Sequence, residues 1–229
     1  MDHLIITSWL LGLTLGMTHA LDPDHLIAMG TLAAESRDLR RSAFLGAIWG
    51  VGHTCALALV GYLVLSLKWT IPLQMAAHME VMVGVMIVAL GVHLLWRTLQ
   101  PWTVHLHEHD HNHEKTTHSH LHVHGQDHAS HSHHLRGSRA KVFLVGFVHG
   151  MAGSAALSLA VLTTMPSMEM GMIYILLFGM GSIGGMLLMS GLISLPFVFV
   201  SQSWHHHLKV SAGFLAIAFG TYFIWSPLS

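Results

Sequence analysis

The stretch GMTHALDPDHLIAMG, residues 16 to 30, sets His19, Asp22, Asp24 and His25 inside a run otherwise apolar enough to cross a membrane. On a regular helix His19, Asp22 and His25 step by three residues. Each then lies about 60° from the last, so the three share one face while Asp24 points elsewhere. Pro23 has no N–H to offer the carbonyl of His19, so the helix is expected to bend there and leave that oxygen free to face an ion or water. Imidazole nitrogens and carboxylate oxygens on a broken helix suit a borderline divalent ion such as Ni, Co, Zn or Cu(II), whereas Mg and Ca prefer oxygen alone. A purely structural role fits poorly: each ionisable side chain at the centre of a span costs at least about 2.5–3.5 kcal/mol on the insertion scale.

Two further histidines fall at compatible depth. His53 lies ten residues into the second apolar run and His149 eight into the fourth, counted from the ends expected to be cytosolic. At the helical rise these are depths of about 15 and 12 Å. Small residues around them, in GVGHTCA and VHGMAGSAA, let helices close around a small site. For each, a structural hydrogen bond is the alternative role. His78, Glu80 and His93 sit nearer the ends of runs, where snorkelling or capping accounts for them.

The elements that must position these groups are membrane helices. Of 229 residues 52% are hydrophobic and 9% charged, against roughly 25% charged in a soluble domain. Apolar runs at 4–21 (continuing past the motif to 34), 43–67, 76–99, 142–165, 170–200 and 210–225 are mostly near or beyond the ~20 residues that span the hydrocarbon. The expected fold is therefore an all-α membrane protein of about six transmembrane helices. MDHLIITSWL lacks the basic region of a cleavable signal, so the first span is expected to stay. Cys55 is the single cysteine, which excludes an intrachain disulfide framework or a CxxC zinc site. Arg37, Arg40, Arg41, Arg97, Lys115, Arg136, Arg139, Lys141 and Lys209 fall on one side of six spans and only Lys68 on the other. That bias places both termini outside and the segment 100–140 in the cytosol.

Shifted by about 130 positions, the chain resembles itself. GMTHALDPD falls on GFVHGMAGS, His19 on His149, and His53 on Ser182; Gly84, Ala89, Gly91 and Trp96 recur as Gly213, Ala218, Gly220 and Trp225. Three spans per unit is an odd number, so the second copy must be inverted, as in secondary transporters whose sites lie at the repeat interface near the midplane. The expected organisation is a three-helix repeat over 1–99, a His-rich loop over 100–140 and a second three-helix repeat over 141–229.

HALDPDHL resembles the signature of the nickel/cobalt transporter (NiCoT, or NicO) family, a histidine followed after four residues by Asp-His. WGVGHTCALALV is similar to that family's second signature, a Gly-His-Ser/Thr segment in the following span. The resemblance implies a multi-span permease for Ni²⁺ or Co²⁺, here in a short six-span form. It implies His19, Asp22, Asp24 and His25 as essential metal-motif residues and His53 as the second-signature histidine. Thr18, Pro23 and the HGMAGSAAL of the fourth span, without acidic residues, depart from the family's pattern.

Residues 104 to 134 carry thirteen histidines. No core can form from such a segment, which is expected to be disordered and to offer weak, multivalent sites for buffering or handing over metal. WHHHLK, with His205 to His207, either joins it or serves a local helix end. Met1-Asp2-His3, if unblocked, can wrap Ni(II) or Cu(II) in a square plane on the outer side. The fifteen methionines read as packing.

The function expected is thus a divalent-metal permease, not an enzyme, most readily for nickel or cobalt, with uptake favoured over efflux. Its metal residues are His19, Asp22, Asp24, His25, His53 and His149, with the ion as substrate and no permanent cofactor. Expected partners are the metal ion, the lipid of a bacterial cytoplasmic membrane and a cytosolic metallochaperone at the loop, with no nucleic acid. Competing readings are a zinc or copper transporter, an exporter, and an acyltransferase using His19 and Asp24 as an H-x-x-x-x-D box.

Overall fold

The computed structural model describes residues 2–68, 72–100, 104–109, 118–123, 134–151 and 167–226. Among these residues seven helices run in the order α1 (Asp2–His19), α2 (Pro23–Ala34), α3 (Leu39–Leu67), α4 (Leu73–Leu99), α5 (His134–Gly150), α6 (Met168–Phe199) and α7 (Gln202–Trp225). Strands β1 (Val104–His109) and β2 (His118–Val123) lie between α4 and α5.

Among the described residues four helices are long and apolar enough to cross a membrane: α3, α4 from Gln74, α6 and α7. The expected first span divides at the motif into α1 and α2. Of the expected fourth, 142–165, the part from 152 onward lies outside the described residues. Polarity is distributed for lipid. Leu67, Trp96, Phe199 and Trp225 are exposed, while His25, His53 and His149 are fully buried, as are Trp49 and Met186. Such a surface needs an apolar solvent, and the helices satisfy their own backbone within it. This is an all-α membrane protein.

Glycines set how closely the helices approach. α3 packs on α6, α4 on α7, α1 on α6 and α5 on α3. A methyl group on Gly16 would overlap the carbonyl of Phe178, and one on Gly146 the carbonyl of Trp49. Gly52 lies on Phe143 as Gly181 lies on Leu13, and Gly84 meets Gly220 as Gly91 meets Gly213. Exchanging positions at the offset of about 130 seen in the sequence turns each of these contacts into its counterpart.

In the His-rich segment the structure describes two short stretches. β1 pairs with β2 antiparallel, setting His105 opposite His122, His107 opposite His120 and His109 opposite His118. Histidine at every second position gives each strand a period of two, which suits a two-faced ribbon. The rest of 101–133 lies outside the described residues.

Candidate metal site

The motif is built around a break. α1 ends at His19, and Leu21 and Asp22 close turns by donating their N–H groups to the carbonyls of Thr18 (2.9 Å) and His19 (3.1 Å). The carbonyl of His19, expected to be free, is therefore occupied by the Asp22 N–H. Pro23 then opens α2 at a first-turn position, where its missing N–H costs nothing. Asp22 is the N-cap residue of α2 but makes no side-chain cap bond. Its carboxylate turns back instead and accepts from His19 Nδ1 at 2.8 Å.

The break also redirects Asp24. A continuous helix would point it away from the face shared by His19 and His25, whereas here Asp24 is buried at the centre of the cluster. Its Oδ1 accepts from the backbone N–H of His25 at 3.0 Å and from His25 Nδ1 at 3.1 Å. Its Oδ2 accepts from Nε2 of His149, on α5, at 2.9 Å. A carboxylate in the first turn of α2 is also favoured by the positive end of that helix.

His53, on α3, completes the cluster, with Nε2 3.2 Å from Nε2 of His19. The ring of His25 lies 4.5 Å from His19, 5.1 Å from His53 and 4.2 Å from His149 between centroids. Two sets of three residues bring ligand atoms within 4.8 Å of one another: His19, His25 and His53, and Asp24, His25 and His149. Of the six residues singled out in the sequence, five are buried together. Asp22 sits at the edge, its side chain 42% exposed.

Hydrogen bonding assigns the free nitrogens. An ionised carboxylate only accepts, so His19 and His25 carry their protons on Nδ1 and His149 carries its proton on Nε2. In the neutral rings the lone pairs then lie on Nε2 of His19, which faces His53 Nε2 at 3.2 Å, on Nε2 of His25 and on Nδ1 of His149. His25 Nε2, His53 Nδ1 and His149 Nδ1 are buried without a partner, which native interiors rarely tolerate without a purpose. The 3.2 Å between His19 and His53 suits two ligands of one ion, since nitrogens each 2.0–2.1 Å from a tetrahedral metal lie roughly 3.3 Å apart. A carboxylate on the far nitrogen of a ligating imidazole is the usual support of a metal site, and Asp22 and Asp24 stand there for His19 and His25.

The chain aligns with the urease accessory protein UreH of Bacillus sp. (strain TB-90) at 33% identity, across 99% of this chain and 94% of that one. The chain belongs to the UreH family. No family model and no solved structure matches it.

In this UreH-family chain the helical spacing of the motif did not reveal two aromatic walls. Trp49 is fully buried, stacked 6.0 Å from His25 and tilted at 5.4 Å from His149. Phe178 lies 5.3 Å from His19. Trp49 stands four residues before His53 on α3, one turn away on the same face, so the spacing WGVGH was a usable signal. Ser182, matched to His53 by the internal repeat, is fully buried with its Oγ unpartnered. His93 lies outside the cluster, its ring nitrogen 3.9 Å from Glu35 and its side chain 62% exposed. His205 to His207 fall in the first turns of α7, in agreement with the helix-end reading, and Met1 lies outside the described residues.

Proposed function

We propose that this UreH-family protein is a permease that carries a divalent transition-metal ion, nickel or cobalt, across the membrane. The observation that carries this reading is the cluster of four imidazoles and one carboxylate buried in an apolar bundle. Lipid makes such a group of side chains costly, and an ion pathway explains it. Three imidazole nitrogens, from His19, His25 and His53, hold the ion, and Asp22 and Asp24 orient two of them. This donor set suits a borderline metal. Nickel and cobalt are favoured by the resemblance of HALDPDHL and WGVGHT to the nickel/cobalt transporters, and kinship to a urease accessory protein is compatible with that reading.

The path runs through six spans in two inverted repeats, with both termini outside. The reciprocal glycine contacts support the repeats, because an axis that carries Gly84 onto Gly213 must also carry Gly220 onto Gly91. The acyltransferase reading needs His19 and Asp24 to act together, yet Asp24 bonds His25 and His149 while His19 bonds Asp22.

Uptake is the proposed direction. Cells expressing the protein should gain nickel or cobalt at submicromolar supply and become more sensitive to excess. Metal content measured by mass spectrometry decides the matter: loss of metal with gained resistance makes the chain an exporter, and selective gain of zinc or copper moves it to those ions.

The paired strands set six histidines in register on the cytosolic side, where they retain ions and pass them to a metallochaperone. Deleting residues 104 to 134 should therefore lower retention or alter the concentration dependence while initial rates of transport persist. Complete loss of transport at normal expression would place the gate in that segment.

A further inference from the structure

Two of the three serines on α6 bond to backbone. Ser190 Oγ donates to the carbonyl of Ser42 at 2.8 Å and Ser194 Oγ to that of Gly191 at 2.7 Å. Ser182 is fully buried and its Oγ has no partner. A helical serine can settle such a position by donating to a carbonyl one turn back, and a buried hydroxyl left without a bond is costly.

The packing of α6 places this hydroxyl. Gly185 lies against Ala20 of α1, and Phe178 against Gly16 of the same helix. Gly179 lies against Thr54 of α3, and Met186 against Gly50 of that helix. At about 100° per residue, position 182 falls roughly midway between the face turned to α1 and the face turned to α3. Ala20 and Thr54 directly follow His19 and His53, and the two glycines that touch them stand three residues to either side of Ser182. Ser182 therefore faces the seam where His19 and His53 meet, Nε2 to Nε2, at 3.2 Å.

The internal resemblance leads to the same place. The ring of Phe178 lies 5.3 Å from that of His19 at 43°, and its counterpart Trp49 lies 5.4 Å from His149 at 47°. His53 follows Trp49 by four residues as Ser182 follows Phe178. In that position His53 turns its ring toward His149, 5.8 Å away between centroids, and the corresponding neighbour of Ser182 is His19.

We propose that the Ser182 hydroxyl is the fourth donor to the ion held by His19, His25 and His53. This rests on the permease reading and adds to it a residue that sets the preference among metals.

Three imidazoles leave a tetrahedral ion one ligand short, and the nearby carboxylates are engaged elsewhere. Asp22 accepts from His19, and the two oxygens of Asp24 accept from His25 and His149. A hydroxyl can offer a lone pair and keep its proton, so the fourth bond adds no charge and stays weak enough for an ion that must move on. An oxygen in this position also keeps the site harder than a thiolate would, and thiolate ligands select Cu(I) and zinc.

The test uses the full chain purified in detergent, with Ni²⁺ as the probe and nickel X-ray absorption to identify the ligands. Ser182→Cys should add one sulfur to the coordination of the unmodified chain while the imidazoles remain. Ser190→Cys, elsewhere on α6, should add none. Ser182→Ala should weaken Ni²⁺ binding and raise the half-saturating nickel concentration for transport, each by about tenfold or more, as expected when a ligand is lost. If the cysteine variant is not recovered, the alanine variant decides alone, since it removes only the oxygen.

A Ser182→Cys protein that binds nickel through imidazole without sulfur overturns the proposal. So does sulfur in both cysteine variants, or a Ser182→Ala protein with unchanged affinity and half-saturation. These results differ from failure of the permease reading itself, in which the unmodified chain binds no nickel through imidazole or moves none.

Discussion

Replacing His25 with alanine abolishes metal movement and leaves the protein in the membrane. His25 is the one side chain that belongs to both ligand sets, so its loss leaves neither with three donors. It also takes away the Nδ1–H donor at 3.1 Å from Asp24, and a buried carboxylate left short of partners is costly. Transport should fall by more than about a hundredfold, the upper end of what removing a group behind a ligand does. Asp22→Asn gives the comparison. It leaves His19 in place and weakens only the bond that orients it, so a loss of about 10–100-fold is expected. Metal accumulation in cells, measured beside the amount of protein in isolated membranes, checks both. Near-normal accumulation in the His25 variant at normal abundance would remove the cluster from the pathway.

The contrast between Asp22 and Asp24 shows how far the sequence could be read. Composition and apolar runs made the chain a membrane protein, and the density of ionisable groups around Pro23 marked where its chemistry lies. Those inferences depend on transfer energies, which are nearly independent of conformation. The exact job of each carboxylate depends on conformation. Placing His19, Asp22 and His25 on one regular helix put Asp22 inside and Asp24 outside, and the break at 20–22 reverses them. Proline marks a break but does not fix the turn that precedes it, so the direction of residue 24 was not legible. Trp49 was missed for another reason: aromatic residues in apolar runs ordinarily pack against lipid or core, and only the fold brings this one to His25. The segment of alternating histidines carried two signals at once. Its polarity argues against a core, and its period of two is compatible with the paired stretches 104–109 and 118–123.

The packing that brings α1, α3 and α5 together depends on glycine more than on any large apolar side chain, and substitutions at two glycines test it directly. Gly16→Val on α1 and Gly146→Val on α5 should each prevent accumulation of folded protein, and to a similar degree. At Gly16 the new side chain meets the carbonyl of Phe178, and at Gly146 that of Trp49. At Gly16 the obstacle is the backbone of a packed helix, which cannot rotate aside as a flexible side chain can, and at Gly146 it is the Trp49 carbonyl together with the buried Trp49 ring. Overpacking a well-filled core costs about 1–3 kcal/mol where side chains yield, and more is expected where a helix axis must move. The site suffers too, because Gly16 lies one turn before His19 and Gly146 three residues before His149, so a displaced helix takes an imidazole with it. Gly184→Ala is the control, since nothing lies within 4 Å of a methyl group there. Helix propensity alone should make that change neutral or stabilising by up to about 1 kcal/mol. Yield in detergent and the midpoint of thermal unfolding measure all three variants. Equal yield and stability for Gly16→Val and the unmodified chain would mean that α1 does not approach α6 this closely, and the positions of His19 and Asp22 relative to His53 would then have to be abandoned with it.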